Sequence, residues 1–230
     1  MGCAFCATAK SGFARSLAAG EIVAQVHWGA RAIGRRPDNV VLMGMGEPFD
    51  NYDEVLRAVR LMNHPEGLGI GARKITISTC GVIEGIRRLA GEGLQVELSV
   101  SLHAPNPEIR RKLMPAERRW PMEAVLEECA AYTAKTKRIV TFEYTLVKGL
   151  NDRAEHAAEL ARRLGKFPCR VNLIPLSPVE EFAGETPSRE AVQGFLRALA
   201  RGGVEGTVRE SRGKGVNGAC GQLRRAAAKE

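Results

Sequence analysis

Cys3 and Cys6 stand three positions apart in Cys3-Ala4-Phe5-Cys6, close enough for both thiols to face one ion or one another. That spacing suits a zinc knuckle, a thiol redox pair, or two ligands of an iron–sulfur cluster. Zinc normally takes a second pair or a His-x3–5-His downstream, and the sequence has neither. A redox pair normally follows a strand, and no strand pattern precedes this one. At the other end, Cys220 lies between Ala219 and Gly221 in a glycine-rich, basic stretch from Arg209 to Leu223. Positive neighbours and access favour its thiolate; a frayed tail with an incidental thiol is the alternative. Cys80, Cys129 and Cys169 lie in or beside apolar segments and read as buried small residues. Glu47 sits in Gly44-Met45-Gly46-Glu47-Pro48, an acid in a turn.

These groups need elements to hold them, and the chain supplies an alternation. Strand patterns fall at 39–44, 74–79, 95–102, 138–147, 169–176 and 204–210. Helical spacing falls between them at 20–34, 51–63, 82–91, 121–135, 152–165 and 188–203, with Asn51 as a cap and Pro121 at a helix start. The 20–34 pattern is carried by Ile22, Val23, Val26, Trp28 and Ala30. Repeated strand–helix units mean a mostly parallel α/β sheet, either doubly wound or curled into a full or partial (β/α) barrel. In both, sites form at the C-terminal strand ends. The unusual residues fall there: Gly46 and Glu47, Ser78 to Gly81, Ser101 to His103, and Pro175 to Pro178. No linker divides the chain, so 1–230 reads as one domain.

Composition narrows the function. The chain has 230 residues, 44% of them hydrophobic and 26% charged, an ordinary balance for a globular protein. No apolar run is long enough to span a membrane, and no export signal opens the chain, so a cytoplasmic protein is expected. The net charge is +8, and 197–230 carry eight basic against three acidic side chains, which favours a polyanion. Aromatic residues are only 5%, which argues against a stacking platform for single strands. Arg110-Arg111-Lys112 and Arg118-Arg119 either extend the basic surface or form a solvated face.

Seven segments in order carry a resemblance. They are GCAFCATAKSGF at 2–13, GMGEPFDN at 44–51, ITISTCGV at 75–82, SLHAPNPEIRRKLMP at 101–115, TFEYTLVKGLND at 141–152, VNLIPLSP at 171–178 and ACGQL at 219–223. Over nearly its whole length the chain resembles the radical-SAM RNA adenine C2-methyltransferases, which act on 23S ribosomal RNA and certain tRNAs. The resemblance implies a partial (β/α) barrel, a [4Fe–4S] cluster and S-adenosylmethionine (SAM) as cofactors, an electron donor, and a monomer. It implies that Cys3 and Cys6 are two of three cluster thiolates in a C-x3-C-x2-C pattern. It implies that Glu47 receives the SAM ammonium beside Gly46, and that Ser78, Ser101, Leu102, His103 and Ser177 line the SAM site. His103 as a purely structural histidine stays open.

Cys220 matches the family's methyl-carrying cysteine. Its thiolate would take a methyl from one SAM; a radical from a second would abstract hydrogen from that methyl, whose carbon then adds to adenine C2. The family's chains run longer at the front, where an accessory domain, the first barrel strand, the first cluster cysteine, a resolving cysteine and a proton-accepting glutamate belong. The expectation is therefore an N-terminally shortened core. Ser177 replaces a usual Asn, and Gly215 a usual Asp. A non-catalytic RNA-binding remnant, a zinc or redox protein, and the related branch that methylates adenine C8 are the alternatives.

Overall fold

The computed structural model describes residues 1–10 and 12–209. Among them, helices and strands alternate as α1 Ala19–Ile33, β1 Val40–Leu42, α2 Tyr52–Asn63, β2 Ile75–Thr79, α3 Ile83–Leu89, β3 Glu97–Ser101, α4 Pro107–Leu113, α5 Met122–Thr136, β4 Val140–Leu146, α6 Ala154–Leu164, β5 Cys169–Pro175, α7 Arg189–Arg201 and β6 Glu205–Val208. The six strands form one sheet in sequence order, and every neighbouring pair is parallel. All six expected strands and six expected helices are present.

The helices cover the sheet because each presents an apolar stripe at helical spacing. Val55, Leu56, Val59 and Met62 make it on α2, Ala157, Leu160, Ala161 and Leu164 on α6, and Val192, Phe195 and Leu199 on α7, all buried. The outer strand face is equally apolar, with Val140, Phe142, Tyr144 and Leu146 of β4 buried beside Val171 and Leu173 of β5. α1 departs from expectation. Only Ala19 and Ile22 of that helix are buried, and Trp28 is 76% exposed. Helical spacing places a side chain on a stripe, but a partner must then cover it.

The other sheet face is polar, and it is concave. In register, Ser101, Glu143, Asn172 and Thr207 form one row across β3 to β6. Arg209, one residue past β6, reaches Met43, one residue past β1: its Nη1 lies 3.4 Å from the Met43 Sδ. β1 and β6 are the two edges of the sheet. Strands at the usual spacing would put the edges of a flat six-stranded sheet roughly 24 Å apart, beyond any side chain. The sheet must therefore curl, and the architecture is a partial (β/α) barrel rather than an open doubly wound sheet.

Two local expectations change. The stretch after β3 holds an additional helix, α4, which begins at Pro107 and is capped by Asn106, whose Oδ1 accepts from the Ile109 N–H at 3.0 Å. Asn51 does not cap α2; its Nδ2 donates to the Leu17 carbonyl at 2.7 Å, because a 3-10 turn over Pro48–Asn51 already leads into the helix.

Gly85 on α3 lies against the Phe49 ring, and a Cβ there would come within 2.4 Å of it. Gly85→Ala gains helix propensity worth about 1 kcal/mol, but that overlap exceeds what a ring can yield. The expected outcome is a net loss of about 1–2 kcal/mol, read from the urea midpoint.

Candidate active site

The thiol turn is the first part of the site. The Cys6 N–H donates to the Cys3 carbonyl at 3.2 Å, closing Cys3-Ala4-Phe5-Cys6 on itself. The Ala4 N–H donates to Leu113 O at 2.9 Å, which ties the turn to the end of α4. Phe5 is the buried anchor. Its ring meets the His103 imidazole edge-on, with centroids 4.8 Å apart. Burial and the neighbouring Cys6 raise the Cys3 thiol to about 11, so without a cation it stays protonated. A bound metal reverses that balance by stabilising thiolates.

Glu47 is the second part, in the loop after β1. Its Oε1 accepts from the Phe49 N–H at 3.1 Å and its Oε2 from the Cys80 N–H at 2.7 Å. Burial raises its proton affinity, and these two backbone donors oppose the rise. Gly46 beside it takes φ +95°, a backbone region that suits glycine.

His103 is the third part. It is buried with φ +55°, and its Nδ1 accepts from the Thr145 N–H at 2.9 Å. An accepting Nδ1 fixes the tautomer with hydrogen on Nε2. Burial, then nearby Arg110, depress its pKa to about 3. Asn151, fully buried, holds the same corner: Nδ2 donates to His103 O and Thr145 O, and Oδ1 accepts from the Val147 N–H. The N–H groups of Leu102 and His103 both donate to the Glu143 carbonyl, at 3.0 and 3.2 Å.

The remaining expected residues fall at strand ends as well. Ser78 and Ser101 are half-buried on the concave face of β2 and β3, Leu102 is fully buried after β3, and Ser177 is buried just past β5. Cys3, Cys6, Glu47 and His103 are joined through Phe5, Cys80 and α4. Cys220 and Gly215 lie outside the described residues. Cys80 and Cys129 are buried and Cys169 is half-buried. A surface cleft of about 510 Å³ beside α2 is lined by Asp53, Arg57 and His64 and touches none of these groups.

Three charged residues were not expected here. Glu143 projects into the concave face, where Ser99 Oγ donates to it at 3.2 Å and Asn172 Nδ2 at 2.8 Å. A carboxylate inside the apolar run at 138–147 was the available signal. Arg209 faces the same group and lowers its proton affinity, which burial raises. Arg110 is fully buried rather than part of a basic surface, while Arg111, Lys112, Arg118 and Arg119 are exposed.

The pattern describing the radical SAM superfamily matches residues 1–161. A probable dual-specificity RNA methyltransferase RlmN of Pelotomaculum thermopropionicum is 52% identical over 98% of this chain and 61% of its own length. One of the same name from Thermoanaerobacter sp. is 47% identical over all of this chain and 67% of its own. The crystal structure of a radical SAM methyltransferase from Sphaerobacter thermophilus superposes with TM-score 0.93 at 48% identity, covering 96% of this chain and 66% of that one. The chain belongs to the radical SAM superfamily, in the family of these RNA methyltransferases. It spans 61% of the length of the Pelotomaculum relative.

Radical SAM membership implies a [4Fe–4S] cluster and SAM as cofactors. The donor chemistry fits in part. Thiolates are the ligands such clusters take, and Cys3 and Cys6 present two from one turn. No group of three or more Cys, His, Asp or Glu able to hold a metal occurs among the described residues.

Asn151→Ala leaves buried carbonyl and amide groups without partners and is expected to cost about 2–4 kcal/mol in urea unfolding. The depressed His103 pKa sets a pH dependence. The unfolded imidazole binds a proton near pH 6.5 and the folded one only near 3, so stability is full above 6.5 and falls with pH between those values. His103→Asn, which tolerates the positive φ and does not titrate, should flatten that acid slope by up to about 1.4 kcal/mol per pH unit in denaturation at stepped pH.

Proposed function

We propose that residues 1–230 are the core of a SAM-dependent RNA methyltransferase that methylates adenine C2 in 23S ribosomal RNA and in some tRNAs. The observation that carries this reading is the thiol turn seated on α4 and on His103, with Glu47 fixed to the next strand end by the Cys80 N–H. The names of the relatives supply the reaction class.

Cys3 and Cys6 would hold two irons of the cluster, and the cluster with SAM supplies the one-electron chemistry when bound. Glu47 keeps lone pairs after its two backbone bonds, and these would receive the SAM ammonium. Ser78 and Ser101 would line the concave wall of the SAM site, and Leu102, His103 and Ser177 would help exclude water from it. Cys220 would carry the methyl group: its sulfur forms a bond to carbon as the S–CH3 bond of SAM breaks.

Basic side chains, eight of them in 197–230, suit a phosphate backbone. A target adenine must leave its stack to be reached, which favours a folded loop. The reading includes a cytoplasmic monomer served by an electron donor. No helix among the described residues is long and apolar enough to cross a membrane.

The chain extended so that a cysteine stands four residues ahead of Cys3 is expected to take up iron and sulfide anaerobically and give a SAM-responsive EPR signal. Cys6→Ala should lose that signal. With the family's accessory domain and resolving cysteine restored as well, mass spectrometry of ribosomal RNA should place a methyl on adenine C2, absent with Cys220→Ala. Methylation that survives Cys220→Ala, or a methyl on C8, contradicts the proposal. Binding of RNA should weaken along a straight line in log Kd against log salt.

A further inference from the structure

Arg110 comes from α4 and is fully buried. Its Nη1 donates to Glu117 Oε2 at 2.5 Å and to Trp120 O at 2.9 Å, and its Nη2 donates to Cys80 O at 2.8 Å. Cys80 is therefore held by both of its backbone groups. Its carbonyl accepts from Arg110, while its N–H donates to Glu47 Oε2 at 2.7 Å. Gly81 follows with φ +101°, and a Cβ there would lie 3.0 Å from Val125 and 3.3 Å from the Arg110 guanidinium. The residue after Cys80 is thus shaped to let the guanidinium approach the strand end. The same α4 accepts the thiol turn through Leu113 O.

We propose that Arg110 is a positioning residue for SAM. By fixing the Cys80 carbonyl it aims the Cys80 N–H at Glu47, and it sets where that carboxylate stands relative to the Cys3–Cys6 turn held by its own helix. The inference rests on Glu47 as the acceptor of the SAM ammonium. A ligand whose amino-acid end would be held by both the cluster and Glu47 requires the two grips at a fixed separation, and α4 is the element common to both. Arg110 touches neither SAM nor cluster; it acts through Cys80.

A double-mutant cycle in SAM affinity, measured by calorimetry on the cluster-loaded protein extended to carry the third cysteine ahead of Cys3, tests this. Glu47→Gln keeps an oxygen for the Cys80 N–H and removes the charge that reads the ammonium. Arg110→Lys keeps the positive charge beside Glu117 and loses the planar fork that spans Cys80 and Trp120. Arg110→Lys is expected to weaken SAM binding about tenfold when Glu47 is present, and by less than twofold in the Glu47→Gln background. Gly81→Ala presses on the same contact from the other side and should show the same coupling, which keeps the test open if Arg110→Lys does not fold. Equal losses in both backgrounds, or no loss in either, overturn the role of Arg110 while leaving Glu47 in place. A Glu47→Gln protein that binds SAM as tightly as the parent overturns the Glu47 reading, and the positioning role falls with it.

Discussion

Arg110 brings a full positive charge into a place that water does not reach, and its surroundings are arranged to meet that demand. Removing one member of a buried ion pair typically costs about 3–5 kcal/mol, because the other is left charged and unsolvated. Glu117 supplies the counter-charge, and both of its oxygens lie within reach of the Met122 N–H at the start of α5. The cation's other Nη bonds go to the Cys80 and Trp120 carbonyls, while its buried Nε–H has no partner among the described residues. A 3-10 turn, two helices and a strand end are thereby locked into one arrangement. Its field also reaches the groups above it, opposing a proton on both His103 and Cys3.

The concave face follows a related logic with opposite sign. Glu143 is an acid in a strand whose outer face is wholly apolar, and it survives there because Ser99 and Asn172 donate to it and Arg209 faces it. Thr207 extends the chain by donating to Asn172 Oδ1 at 3.3 Å. A polar row of this kind cannot be buried against a helix. It needs a lumen, and the curl that brings Arg209 to Met43 provides one. Chemistry-bearing residues then gather at one rim because parallel strands all end there.

Much of this was legible in the letters. The strand–helix alternation follows from buried apolar runs and amphipathic stripes, and the rim residues from the rule that parallel strands share an exit. What escaped did so for physical reasons. Arg110 has basic neighbours in Arg111 and Lys112, and a run of charge says nothing about which member turns inward. Its partner Glu117 is seven residues away across a chain reversal that only the fold creates. α4 was hidden because the basic run Arg110-Arg111-Lys112 interrupts its apolar stripe, although Asn106-Pro107 is a clear start signal. Trp28 helps carry the helical spacing of α1, but burial depends on what lies opposite, and it is exposed. The choice between a curled and a flat sheet also lay beyond the pattern, since both share one alternation of elements.

The most direct test of the account is an iron anomalous diffraction map of the cluster-loaded protein crystallised with SAM. The account predicts iron bonded to Cys3 Sγ and Cys6 Sγ, and one SAM whose amino group lies within hydrogen-bond reach of the Glu47 carboxylate. Iron bound elsewhere, or a SAM whose ammonium points away from Glu47, would contradict it.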